Sequence, residues 1–344
     1  MPKDNENIPI PFDGPTQPTE REGFSFAEML TCDECLRSNP PTRIACLYCG
    51  FTLPVTESSA RLRKPALLPS DKLQPGYNSI VVTRDEAAPT DKHLQEASNF
   101  LKLSLGELQQ ILNAPVPLPL AHTGSEDEAN LVTQRMCELG LNACTLSDAQ
   151  LGISEHCVMR IRSMEFSEST VVIRRTSPEA SKEVAYDDLL LLVQGRLLTK
   201  TMEVRERKTR TSENEILDAS EFFADEPVFD IYCSTLPETW RVSANSFDFS
   251  CLQEQKALVV NENFGKLVKL IFAKAPHLVI DDYYNRVRQT LEPVWAIERE
   301  TTSRGWRRDG PGRLSVGAVT TQSNEAQFTR YSRLRQYLVR NPPN

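Results

Sequence analysis

Four cysteines stand within eighteen residues of one another, in the pattern Cys32-x2-Cys35-x10-Cys46-x2-Cys49. Each Cys-x2-Cys pair lets two thiolates approach one ion from a single tight turn, at about 2.3 Å each, and two such turns complete a tetrahedral set. A closed site of this kind leaves no position for a catalytic water, so the pattern specifies a folded module and one structural zinc ion rather than a reaction. The segment around it is polar and proline-containing, with little core of its own, so four independent buried thiols would be a poor account of the spacing.

The loop between the pairs can be read further. Asn39 lies four residues after Cys35, the stretch Asn39-Pro40-Pro41-Thr42-Arg43-Ile44-Ala45 leads into Cys46, and Gly50 follows Cys49. Over residues 28 to 53 this resembles the Ran-binding-protein-type zinc finger, W-x-C-x2-C-x3-N-x6-C-x2-C, and equally the short bacterial zinc ribbon C-x2-C-x3-N-P…C-x2-C-G. The resemblance implies Cys32, Cys35, Cys46 and Cys49 as the zinc ligands and Asn39 as the residue that organises the intervening loop. Two departures bear on function. Leu30 stands where the animal finger has its RNA-stacking Trp, with Arg43 and Arg37 the arginines that remain, and Leu36-Arg37 replaces the Thr-Phe pair of the ubiquitin-binding members.

A chain of 344 residues, 40% hydrophobic and 25% charged, is long enough for two or three domains of ordinary size. Its apolar runs, such as Leu189 to Val193, fall far short of the roughly 20 residues that span a bilayer. No signal-peptide pattern opens the sequence, and beyond the four ligands five cysteines are scattered at irregular spacing, as reduced thiols would be. These features set an expectation of a cytoplasmic protein without a membrane span. The net charge of −8 is uneven, since residues 285 to 344 carry eleven arginines against five acidic residues. Such a tail either seeks an acidic partner or folds back on its own acidic body.

Along the chain, residues 1–23 read as a disordered leader, 24–53 as the zinc ribbon, and 54–90 as a proline-punctuated linker carrying the basic patch Arg61-Leu62-Arg63-Lys64. Residues 91–152 read as a small α/β domain. A helix over Asp91 to Leu103 is followed by a second opened by the capping box of Ser104 and Glu107. A strand over Val116 to Ala121, a helix capped by Ser125 with Glu128, and a strand after Gly140 then form a β-α-β unit. That unit resembles half of a ferredoxin-like sandwich. The acids Glu126, Asp127 and Glu128 suit the positive end of the helix dipole and exclude a phosphate site there. His122, beside Thr123 and Ser125, is the one residue that invites a catalytic reading, but no partner carboxylate or nucleophile spacing accompanies it.

From His156 the period changes to alternation, in Met159-x-Ile161, Met164-x-Phe166, Val171-x-Ile173 and Val184-x-Tyr186, which predicts short strands. Residues 153–296 are expected to hold an antiparallel β domain followed by helices. Between about 157 and 275 the strands, the segment VAYDDLLLLVQGR and the closing helix with Phe264, Leu267, Val268, Ile271 and Phe272 resemble a bacterial pleckstrin-homology-like barrel. The resemblance implies a binding scaffold. It does not extend to phosphoinositides, since Arg174-Arg175 is the only dense basic pair before Lys182. The charged stretch from Arg205 to Glu226 reads as a mobile loop, 297–323 as a flexible Gly/Arg-containing linker, and 324–344 as a final helix and tail.

The fold class expected is therefore multidomain α+β: a zinc ribbon, a helical plus β-α-β unit, and a helix-closed β-barrel. The function expected is a non-enzymatic, zinc-binding regulatory or scaffolding protein that contacts another protein. The alternative is an RNA-binding protein that uses Arg43, Arg61 to Lys64 and the segment Arg304 to Arg313, in which Trp306 would stack on a base. An enzyme is the third reading, motivated only by His122 and the β-α-β unit; no phosphate loop, nucleophile elbow, open metal site or paired carboxylate supports it.

Overall fold

The computed structural model describes residues 24–54, 56, 59, 62–68, 75–83, 89–153, 158–175, 181–208, 215–236, 238–310 and 313–342. The leader expected over 1–23 lies outside them. The chain divides into two compact units, Met1–Lys64 and Pro65–Asn344. In the first, a short 3-10 turn (Phe26–Glu28) precedes the antiparallel pair β1 (Leu30–Thr31) and β2 (Ser38–Asn39).

The second unit is mixed α+β. Its first layer is a three-stranded sheet, β3 (Tyr77–Thr83), β4 (Pro119–Thr123) and β5 (Asn142–Ser147), with β3 in the middle and antiparallel to both neighbours. Helices α1 (Asp91–Leu101), α2 (Leu105–Leu112) and α3 (Glu126–Glu138) accompany it. The caps are those the sequence announces. Ser104 and Glu107 form both bonds of the capping box, the Ser125 hydroxyl accepts from Glu128 N, and Gly140 takes φ +79° beyond α3. Each such cap contributes about 1 kcal/mol. The expected β-α-β unit is present as β4-α3-β5, but split, because β3 lies between its strands. β3 falls within the stretch read as linker; the apolar run Ile80-Val81-Val82 is brief and follows Pro75-Gly76, so breaker chemistry masked it.

Next come the meander β7 (Ser163–Phe166), β8 (Thr170–Arg174) and β9 (Lys182–Ala185), and a seven-stranded sheet. That sheet runs β14 (Glu298–Gly310), β15 (Arg313–Ser323), β10 (Leu189–Lys208), β11 (Glu215–Cys233), β12 (Thr239–Ser243) and β6 (Val158–Arg160). The short β13 (Val279–Asp281) adds to β10 in parallel. Helices α4 (Val260–Lys274), α5 (Tyr284–Leu291) and α6 (Glu325–Arg340) complete the unit.

The hairpin β10–β11 is the wall between two cores. Side chains alternate along a strand, so Leu191, Val193, Val228 and Tyr232 enter one core, with β3, β4, β5, α5 and α6. Leu192, Phe229, Ile231 and Cys233 enter the other, with Met164, Val171, Ile173 and Val184 of the meander and Phe264, Leu267 and Ile271 of α4. A strand covered on both faces reads as a continuous apolar run, which is the origin of Leu189 to Val193. Gly195 on β10 admits the ring of Phe328; a Cβ there would stand 2.5 Å from Phe328 Cε2.

Two segments depart from expectation. The charged stretch after Arg205 continues β10 to Lys208 and opens β11 at Glu215, paired in register from Leu189↔Cys233 to Arg207↔Glu215. Opposite charges meet across the ladder in the ion pair of Lys200 with Glu221. The Gly/Arg-rich segment expected as a flexible linker over 297–323 is instead the hairpin β14–β15, laid along β10 from Thr199↔Ser323 to Lys208↔Leu314. Arg and Gly content suggested mobility, but the Thr, Ser and Val residues of β15 fit a ladder once β10 supplies a long edge. Among the described residues, no helix is long and apolar enough to cross a membrane.

Candidate metal centre

The four predicted cysteines converge. The sulfurs of Cys32, Cys35, Cys46 and Cys49 all lie within 4.8 Å of one another, with Cys32 to Cys49 at 3.6 Å and Cys35 to Cys46 at 3.5 Å. A disulfide needs about 2.05 Å. The edge of a tetrahedron with metal–sulfur bonds of about 2.3 Å is roughly 3.8 Å, so these four thiols can hold one metal ion.

Two matching turns build the site. In the first, Leu36 N donates to Cys32 O at 2.8 Å and Cys32 N to Arg37 O at 3.0 Å. In the second, Gly50 N donates to Cys46 O at 3.0 Å and Cys46 N to Phe51 O at 2.8 Å. The turns repeat with an offset of fourteen residues, and each places the residue after its second cysteine in the left-handed region, Leu36 at φ 56° and Gly50 at φ 76°. Glycine adopts that conformation freely, whereas leucine does so at a cost of about 1–2 kcal/mol.

Asn39 joins the turns. It is fully buried, its Oδ1 accepts from Leu47 N at 2.8 Å, and its Nδ2 donates to Arg37 O at 2.9 Å and reaches Cys46 Sγ at 3.4 Å. Burial acts to raise the Cys46 thiol, but N–H groups of Tyr48 and Cys49 and the Asn39 amide outweigh it and hold the thiol below its ordinary range. Donors aimed at sulfur favour the thiolate, the form that ligates metal.

Below the site, Leu30 and Leu53 pack against Cys32, Cys35 and Cys46. Arg63 closes this small core: it is 1% exposed and donates through Nη2 to Leu53 O at 3.3 Å and Pro54 O at 2.8 Å. The basic patch proposed over Arg61 to Lys64 therefore loses Arg63 to the interior of the module, and Arg61 lies outside the described residues. Leu30, in the position of the animal finger's Trp, is half-buried. The exposed aromatics are elsewhere. Tyr48 is 57% exposed with Arg37 Cζ 4.7 Å from its ring centre, and Leu47 and Phe51 at the second turn and Leu36 at the first are also exposed. Their spacing carried no signal, because residues inside a Cys-x2-Cys turn are exposed by the turn itself rather than by periodicity.

His122 is 3% exposed, on β4, and its Nε2 stands 3.6 Å from Asp148 Oδ2, a carboxylate neighbour that the sequence did not specify. Asp148 is the centre of a buried network: it accepts from Gly76 N at 2.9 Å, Asn78 Nδ2 at 2.9 Å and Arg330 Nη1 at 2.5 Å. Burial acts to raise the Asp148 carboxyl, and His122, Arg330 and Asn78 together outweigh it, bringing it to about 2. Of the other proposed nucleic-acid segment, Arg304 to Gly310, with Trp306, falls on β14 and Arg313 opens β15, while residues 311 and 312 lie outside the described residues. Comparison with protein families, curated proteins and solved structures returns no match.

Proposed function

We propose that this chain is a non-enzymatic, zinc-stabilised scaffolding protein of the cytoplasm, whose cysteine module presents a contact surface for another protein. The observation that carries the reading is a tetrathiolate closed on itself, with Leu36, Leu47, Tyr48 and Phe51 exposed around it. Four thiolates in a closed tetrahedral arrangement suit zinc and leave no coordination position for substrate. Exposed aromatic and aliphatic side chains on a module this small are the anchors of a protein contact, since burying each contributes about 1.5–3 kcal/mol.

The larger unit is read as a second binding scaffold. Two consecutive antiparallel meanders, β7-β8-β9 and β10-β11-β12, enclose one core closed by α4, which supports a pleckstrin-homology-like β assembly over about 157–275. The parallel β6–β12 pair and the long extension of β10 and β11 are additions to such a plan.

The second reading, single-stranded RNA, is favoured by the exposed Arg37–Tyr48 stack and by the exposure of Arg43 in the same module. Anisotropy of labelled single-stranded RNA, titrated with the nuclease-treated full chain from low to high salt, separates the two. The scaffold reading expects no saturable binding. Binding that falls steeply with salt and is lost in Tyr48→Ala would transfer the module to RNA.

A further inference from the structure

Beyond the proximal cores, β14, β15, β10 and β11 continue together as a four-stranded antiparallel arm. Among its described side chains, from Thr199 to Arg205, Ala219 to Asp225, Glu298 to Ser303 and Gly317 to Ser323, none is buried. Among the described residues nothing covers either face of this stretch or either of its edges. Among the described residues, β14 ends the strand order, and over Glu215–Ala224 β11 has β10 as its only ladder partner, because β12 joins it at Val228 and beyond. Open edges of this length are templates for strand addition unless something blunts them.

The two edges differ in charge. From Glu215 to Glu226, β11 holds five acidic residues and no basic one. β14 holds Arg299, Arg304, Arg307 and Arg308 against Glu298, Glu300 and Asp309, with its arginines concentrated toward the distal end. The ladders fix the levels at which these residues stand. Arg307 is level with Ser315, Arg207 and Glu215, and Asp218, level with Arg205 and Gly317, stands beside the register shift that contains Arg304. Directions also match. An antiparallel sheet with an even number of strands has opposite directions at its two edges, so β14 of one copy meets β11 of the next in antiparallel sense.

We propose that this arm assembles head to tail with the arm of a second copy of the chain, β14 adding to β11. The pairing brings Arg307 to the level of Glu215 and Arg304 to the level of Asp218, while β11 against β11 would oppose two wholly acidic edges. Phe222 and Phe223, 59% and 71% exposed, fall level with Glu300 and Arg299 of the incoming strand and lose solvent on its arrival. A heterologous contact of this kind propagates. The strand twist, roughly 20–25° per strand, turns successive copies by about 80–100°, which carries their bodies to different sides of the growing sheet. Self-assembly stands independently of the scaffold reading, because it requires neither zinc nor a recruited protein.

Sedimentation velocity of the full chain over a range of concentration tests it, at low and at physiological salt. The expected result is a mass that rises with concentration and falls with added salt. Glu215→Arg with Asp218→Arg on β11, and separately Arg304→Glu with Arg307→Glu on β14, should each sediment as monomer where the wild type does not. An equimolar mixture of the two variants should associate again, since each offers the edge the other lacks. Circular dichroism identical to wild type shows that the variants fold. A wild-type chain that stays monomeric throughout overturns the proposal. Association that survives the β11 reversal also overturns it, because that is how β14 pairing with itself, or a contact away from the arm, would behave.

Discussion

The indole N–H of Trp295 donates to Asn78 Oδ1 at 2.9 Å, joining residues 217 positions apart in a fully buried contact. The same amide donates to Asp148 Oδ1 and to Leu146 O, and Asp148 in turn takes Arg330 from α6. One asparagine thus fastens β3 to the end of β5, to the turn before β14 and to the last helix. Asn78→Leu leaves an indole N–H without its acceptor and Asp148 short of a donor. Each buried unpaired group costs about 1–3 kcal/mol, so a loss of about 3 kcal/mol or more is expected in urea unfolding of the larger unit.

Acid sensitivity follows from Asp148. Its folded carboxyl titrates at about 2, below the ordinary value near 3.8, so it contributes stability that is complete above about pH 4 and lost as pH falls toward 2. The contribution at neutral pH is about 2–3 kcal/mol. Asp148→Asn should be less stable than wild type at pH 7, with the difference shrinking between pH 4 and 2. A difference constant across that window would show that the carboxylate's charge is not what Arg330 and Asn78 hold.

In the cysteine module, the residues after Cys35 and Cys49 make opposite predictions. Leu36 sits at positive φ and is 76% exposed, so Leu36→Gly removes strain and loses little packing. Gly50→Ala introduces strain at φ 76° where no neighbour is close enough to matter. The first should retain zinc against a competing chelator better than wild type, by about 1 kcal/mol, and the second worse by a similar amount.

Arg241 and Asp230 form a fully buried two-pronged pair, at 2.7 and 2.8 Å, with Glu325 at 3.1 Å and the Phe328 ring 4.9 Å from the guanidinium carbon. Asp230→Ala strands a buried cation and should cost about 3–5 kcal/mol. Asp230→Leu combined with Arg241→Met should recover much of that loss in thermal unfolding, because an apolar pair of similar volume carries no desolvation cost. A double variant as unstable as the single one would make the guanidinium's contacts to Glu325 and Phe328 the dominant contribution.

Much of this was legible locally. The cysteine spacing located all four converging sulfurs, and caps at Ser104, Ser125 and Gly140 placed α2 and α3 nearly to the residue. What the sequence concealed was non-local. Leu189 to Val193 looked like a strand of one barrel, whereas its alternate side chains enter two cores. Composition left open whether the basic tail seeks a partner or folds back on its own body; Arg330 and Arg333 of that tail are 3% and 2% exposed, received by an acid and an aromatic distant in the chain. Gly and Arg content suggested a linker where β10 offers an edge. Arg63 looked like a solvated cation, but the carbonyls of Leu53 and Pro54 draw it beneath the metal site.

The central claim is a closed, structural zinc site, and cobalt substitution tests it most directly. Full-length protein, stripped of metal and titrated with Co2+, should take up one equivalent and develop the absorption of a tetrahedral tetrathiolate centre, displaced by one equivalent of zinc. Cys46→Ser should abolish that stoichiometric uptake and unfold residues 24–54 while the circular dichroism of the larger unit persists. No cobalt binding, or a spectrum showing a bound water in place of one thiolate, would contradict the account.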